Sequence, residues 1–301
     1  MNVAEHMATV PRGELKQNEP MSRHTTWRVG GPARGFFQPA DLPDLQAFLQ
    51  QLDAAEKLFW VGLGSNLLVR DGGIDAVVIA PLSGLRQMTS LGGGRFRFEA
   101  GVPCNKVARF SAQQGYVGAE FLAGIPGTLG GALAMNAGAW GSETWDFVEQ
   151  VETIDRRGQV HRRSAAEFKV GYRHIAGPED EWFVAAVMQF ADGDVEAAQR
   201  RIQQLLAQRS ATQPSNQPSC GSVFRNPEGD HAARLIEAAG LKGYCIGKAC
   251  VSEKHANFII NSGGATAADI EALITHVQRR VAEKSGIDLQ HEVRIVGKGV
   301  E

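Results

Sequence analysis

Two glycine-rich segments carry the first chemical signal in the chain: "GLGSN" at 62–66 and "AGIPGTLGGALAMNAGAWG" at 123–141, the second without a single charged side chain. Glycine permits positive φ and close backbone approach, so successive N–H groups can converge on an anion with no side chain between. A phosphate loop of the G-x-x-x-x-G-K-[ST] kind needs a lysine that neither segment supplies, which disfavours nucleoside triphosphate hydrolysis. A held dinucleotide fits better. The backbone of Gly62 and Gly64, with Ser65 and Asn66 adding donors, would wrap a pyrophosphate while the second segment lets a planar ring lie flat. The competing reading is that these glycines only make tight turns and close strand contacts.

The rest of the composition narrows the class. At 301 residues, with 43% apolar and 21% charged residues, the chain has the make-up of a globular protein of two or three domains. No apolar run approaches the roughly 20 residues of a membrane span, and the polar N-terminal stretch lacks a secretory pattern, so a cytoplasmic protein without membrane insertion is expected. Lysine and arginine total 31 against 33 acids, with no dense basic cluster, so no nucleic-acid partner is expected. Cys104, Cys220, Cys245 and Cys250 form no CxxC pair and lack zinc-finger spacing. They are expected to be small, wholly or partly buried thiols, with no metal site.

The elements that must position these segments follow from periodicity. Leu42, Leu45, Phe48, Leu49 and Leu52 share a helical face, and "LFWVG" at 58–62 then reads as a buried strand. After "GLGSN" the chain re-enters β structure through "LLV", a "DGG" turn and "AVVIA", so the GxG is a poor dinucleotide-fold fingerprint of the strand-to-helix kind. "RFRFEAG" alternates as a half-buried strand, 104–115 reads as a helix, and strands resume at "VEQVETID", "QVHRR" and "WFVAAVMQF". A long charged helix at 195–209 and a Pro/Ser/Asn connector at 210–222 mark the domain joint. Beyond it come a helix in "HAARLIEAAG", strands near 244–251 and 257–261, a helix opened by Thr266-x-x-Asp269, and a last strand "LQHEVRIVG".

The segments "HTTWRVGGPA", "VGLGSNLLV", "AGIPGTLGGALAMNAGAWG", "VGYRH", "QPSCGSVFRNP", "LIEAAGLKGYCIGKACVSEKHANFIIN" and "HEVRIVG", in this order, resemble the UDP-N-acetylenolpyruvoylglucosamine reductases, flavoenzymes of peptidoglycan precursor synthesis. The likeness runs from about Arg23 to Gly297. It implies an α+β fold: a two-lobed FAD-binding domain of the vanillyl-alcohol-oxidase (PCMH) type, then an α+β domain for a UDP-sugar. The expected division is an N-terminal extension 1–21, an FAD domain 22–193 with lobes 22–85 and 86–193, and a substrate domain 194–301. The short gap after "GYRH" resembles the class lacking a substrate-covering tyrosine insertion. Arg225 stands where lysine is common, Trp140 where tyrosine is common, Cys220 where alanine is common and Ile175 where serine is frequent.

What the resemblance implies chemically is NADPH-dependent reduction of UDP-N-acetylglucosamine enolpyruvate to UDP-N-acetylmuramate through FAD. Hydride reaches the alkene carbon β to a carboxylate, and charge develops on that carboxylate as an enolate. Such a reaction needs donors for the oxyanion and a proton for the α-carbon. Arg173 would grip the carboxylate with a charged planar fork, Glu292 would donate to the enolate as a neutral carboxyl, and Ser222 would supply the proton. The implied cofactor contacts are Gly62, Gly64, Ser65, Asn66, Gly124, Ile125, Pro126, Gly127, Thr128, Gly131, Asn136 and Gly138. The implied substrate contacts are Tyr172, Arg173, Arg225, Asn226, Lys254 and Asn257. A flavin oxidase on the same fold is the rival enzyme reading, against which neither glycine segment offers a His or Cys for covalent flavin. A noncatalytic flavin- or nucleotide-sugar-binding protein is the third. Oligomeric state is left open, with a monomer as the default expectation.

Overall fold

The computed structural model describes residues 10–300, so most of the expected extension's first half lies outside the described residues. Two compact units emerge, and they are interleaved along the chain. Of the described residues, the first comprises those up to Gln17, 35–63 and 76–208; the second comprises 18–34, 64–75 and those from Arg209 onward. The sequence reading has contiguous domains meeting at 193/194. The difference is physical: the last strand, Arg294–Val296, pairs in parallel with Leu67–Val69, and Trp27 Nε1 donates to Ile259 O at 2.7 Å. These early segments complete the core of the late one.

A four-stranded sheet, whose first-unit residues are 14–17, 35–38, 76–79 and 58–60, runs in the order Glu14–Pro20, Pro32–Gln38, Ile74–Ile79, Leu58–Trp60. Helix α1 (Leu42–Gln51) is started by Asp41, whose carboxylate accepts from Asp44 N, and it buries Leu45, Phe48 and Leu49, with Phe48 stacked on Phe37. Leu58–Trp60 is an edge strand, so its three residues are half-buried rather than buried, and Trp60 stacks on Trp182 at 5.2 Å.

An antiparallel five-stranded sheet follows, in the order Val160–Ser164, Val148–Asp155, Glu181–Gln189, Arg95–Glu99, Met88–Gly92. The alternation of "RFRFE" buries Phe96 and Phe98. They pack with Val107 and Ala108 of α2 (Cys104–Gln113), Leu129 and Leu133 of α3 (Leu129–Met135), and Ile202 of α4 (Val195–Thr212).

The second unit has its own core, in which Trp27 and Leu68 join Phe224, Leu235 of α5 (Ala232–Ala238), and Ile270, Leu273 and Val277 of α6 (Ala267–Ser285). The expected Thr266/Asp269 cap is present: Thr266 Oγ1 accepts from Asp269 N and Asp269 Oδ2 from Thr266 N, both at 3.0 Å. "LQHEVRIVG" forms a regular strand only over Arg294–Val296, so Glu292 lies before it rather than on its alternating face.

Cys104 and Cys220 are buried thiols, and burial pushes the Cys104 thiol up to about 12 and the Cys220 thiol higher still. Cys245 and Cys250 correct the sequence expectation, because they form a disulfide. A hairpin places the two residues directly opposite each other, with Cα atoms 4.1 Å apart, which a spacing of five residues does not announce.

Candidate active site

In the first unit, the two glycine segments meet at Gly62 and Thr128: a β-carbon at Gly62 would sit 2.5 Å from Thr128 Oγ1. Thr128 in turn caps α3 by accepting from Gly131 N. Gly131 is an open position, where a β-carbon would meet nothing closer than 3.7 Å. Gly124 has a different duty. A β-carbon there would fall 2.1 Å from the Trp140 ring, so the planar group that takes the space beside this glycine is the chain's own indole. Gly138 is likewise required by the protein, its β-carbon position lying 2.8 Å from Ser142 O.

The residues fit a bound dinucleotide through their backbone. Among the described residues, the amides of Gly62 and Leu63 meet no protein acceptor, and the same is true of Gly64 and Ser65 in the second unit. Unsatisfied amides beside a close-approach glycine suit an anionic pyrophosphate. Gly64 needs its φ of +61°, with His24 O 2.1 Å from where a β-carbon would be.

Arg173 is placed by a tight turn. Tyr172 and Arg173 join the strands Lys169–Gly171 and His174–Ala176, with Gly171 opposite His174 and Arg173 at φ +54°. Its guanidinium donates to Asn136 O and Gly138 O, both at 3.4 Å, and lies 5.0 Å from the centroid of the half-exposed Tyr172 ring. Asn136 is fully buried, with its carboxamide bonded to Glu143, Gly171 and Trp145.

The second unit brings several further candidates together. Ser222 is half-buried behind Gly221, which has φ +71°, and among the described residues its hydroxyl has no protein partner. The next residue, Val223, donates its N–H to Asn257 O and accepts at its carbonyl from Glu292 N at 2.8 Å. Asn66 Nδ2 donates to Glu292 O at 3.0 Å. Ser222, Glu292 and Asn66 thus share one backbone frame.

The expected substrate contacts divide. Asn257 is buried, and its carboxamide is spent on Phe224, accepting from Phe224 N at 3.0 Å and donating to Phe224 O at 2.8 Å. Asn226 Oδ1 accepts from Ala232 N at the start of α5. Exposed Lys254 donates to Ser210 O. Arg225 Nε is buried without a partner, as is His255 Nδ1. His255 carried no role in the sequence reading; burial first, and the Lys242 charge second, hold its imidazole toward the neutral form. Nothing in residue type distinguishes it from a structural histidine.

Among the described residues no cluster of His, Cys, Asp and Glu could hold a metal ion, and no helix is long and apolar enough to cross a membrane. Residues 33–164 match the FAD binding domain family, and residues 213–296 match the family described as UDP-N-acetylenolpyruvoylglucosamine reductase, C-terminal domain. The class is therefore that of FAD-binding flavoproteins, α+β in fold, with an FAD domain and a further domain.

The UDP-N-acetylenolpyruvoylglucosamine reductase of Methylococcus capsulatus is 60% identical over 98% of this chain and 97% of its own length. That of Alkalilimnicola ehrlichii is 59% identical over 95% and 96%. A crystal structure of UDP-N-acetylenolpyruvylglucosamine reductase from Thermus caldophilus superposes with a TM-score of 0.80 at 32% identity, covering 94% of this chain and 98% of its own. The chain belongs to the UDP-N-acetylenolpyruvoylglucosamine reductase family.

Proposed function

We propose that this protein is an FAD- and NADPH-dependent oxidoreductase that reduces UDP-N-acetylglucosamine enolpyruvate to UDP-N-acetylmuramate in peptidoglycan precursor synthesis. The observation that carries the proposal is the near-full-length relationship at 60% identity to a protein named for this reaction. FAD, when bound, supplies the hydride that NADPH provides and the alkene receives. The chain's candidates for its pyrophosphate are the amides of Gly62 and Leu63, which meet no protein acceptor among the described residues.

The remaining chemistry belongs to three side chains. As negative charge grows on the substrate carboxylate, the Arg173 guanidinium stabilises two oxygens in one plane, a geometry that lysine cannot reproduce. Glu292 shares the developing enolate charge as a hydrogen-bond donor. The Ser222 hydroxyl, which no protein group claims, delivers the proton to the α-carbon. Among the substrate contacts, Arg225 is the better supported, since its buried Nε lacks a protein acceptor and suits a phosphate oxygen. A monomer suffices for this assignment, and the use of NADPH and a UDP-sugar supports a cytoplasmic location.

The test is a spectrum of the purified protein, followed by NADPH and then the enolpyruvyl sugar. Flavin absorbance that bleaches with NADPH and returns with the sugar supports the reading. A colourless protein yielding no flavin on extraction overturns it.

A further inference from the structure

Asn136 was expected to touch the dinucleotide, yet both N–H donors of its carboxamide are used within the protein. Nδ2 donates to Glu143 Oε2 at 2.6 Å and to Gly171 O at 3.3 Å, while Oδ1 accepts from Trp145 N at 3.2 Å. The Trp145 donor and the Glu143 acceptor together set which way the amide faces. That orientation aims the second N–H at Gly171, the residue that enters the Tyr172–Arg173 turn. The backbone of the same residue acts at the other end, because Asn136 O accepts from Arg173 Nη1. Asn136 closes α3 at φ +41°, a left-handed conformation that asparagine tolerates and most residues resist. Arg173 is itself left-handed, so its turn needs anchoring from outside.

We propose that Asn136, oriented by Glu143, is a positioning residue for Arg173: it holds the strand before the turn and the guanidinium after it, setting where the fork meets the substrate carboxylate. This rests on the role given to Arg173 above. The long glycine segment is then divided in function, with the start of α3 open toward a cofactor and "MNAGAWG" supporting the arginine. The charge-assisted bond from Asn136 to buried-side Glu143 Oε2 is the fixed point of that support.

The test uses the holoenzyme and reads two quantities: the rate at which the enolpyruvyl sugar reoxidises the reduced enzyme, and the affinity for UDP-N-acetylmuramate. Asn136→Asp keeps the size and the backbone preference but sets a carboxylate against Glu143. It is expected to slow reoxidation about 10-fold or more and to weaken product binding, as a misplaced reacting group does. Asn136→Asp with Glu143→Gln restores a donor opposite an acceptor at unchanged total charge, and is expected to recover the rate to within about fivefold. In an Arg173→Ala background, Asn136→Asp should change either quantity by less than about twofold. Should Asn136→Asp fail to fold, Glu143→Ala is taken through the same cycle. An undiminished effect in the Arg173→Ala background overturns the positioning role while leaving Arg173 in place. If Arg173→Ala alone slows nothing, the role of Arg173 fails, and the positioning role falls with it.

Discussion

The carboxamide of Asn66 donates to the carbonyl of Glu292 at 3.0 Å, and the Arg294 N–H donates back to the Asn66 carbonyl at 3.1 Å. A residue expected to serve the cofactor therefore also brackets the proposed enolate donor. Asn66→Ala is expected to lower kcat about 10-fold by loosening Glu292, with a stability loss of about 1 kcal/mol from the missing bond. Steady-state kinetics on variant protein with full flavin content check this. A variant that loses only flavin, with normal turnover per flavin, would restrict Asn66 to the cofactor.

Ser222 sits one residue before Val223, whose carbonyl receives Glu292 N, so the proposed proton source and the proposed enolate donor are linked through the backbone. Ser222→Ala is expected to leave flavin reduction by NADPH intact and to slow reoxidation by the enolpyruvyl sugar by about 10²-fold or more. Stopped-flow absorbance separates the two half-reactions. Unchanged rates in both would remove Ser222 from the proton transfer.

Asn257 and Phe224 bond each other twice, side chain to backbone, inside the core of the second unit. Asn257→Leu leaves the Phe224 N–H and C=O unsatisfied and is expected to cost about 3 kcal/mol. Thermal melting of the variant measures the loss. A purely substrate-contacting asparagine would instead raise KM at unchanged stability, which is the outcome that would reverse the structural assignment.

Much of this fold is legible in local pattern. The apolar spacing of α1, the Thr266-x-x-Asp269 cap and the alternation of "RFRFE" each report contacts made within a few residues, and each appears as read. The interleaving of the units is not legible, because it depends on pairing Leu67–Val69 with Arg294–Val296 across more than two hundred positions. The site divides similarly. Glycine content marks where backbone must come close, but not against what: Gly124 faces Trp140 and Gly138 faces Ser142, while Gly131 and Gly141 are open. Polar residue types at 136 and 257 suggest ligand contact, yet both buried carboxamides bond within the protein, that of Asn136 to Glu143, Gly171 and Trp145 and that of Asn257 to Phe224.

In the five-stranded sheet, Arg97 on Arg95–Glu99 makes a forked pair with Glu152 on Val148–Asp155, with Nε and Nη2 at 2.9 and 2.6 Å from the two carboxylate oxygens. The hydrogen bonds from Arg97 hold the Glu152 carboxyl below its ordinary value of 4.5, against an opposing push from burial. A carboxyl lowered on folding favours the folded state fully when the pH is above its unfolded value. That contribution disappears as pH falls through the lower, folded value, because protonation then removes the charge that Arg97 holds. Glu152→Gln is expected to cost about 2 kcal/mol at neutral pH and less as the medium is acidified below about pH 4.5. Denaturant unfolding of wild type and variant across that range measures the convergence. A difference that stays constant down to strong acid would mean that the pair contributes through packing rather than charge.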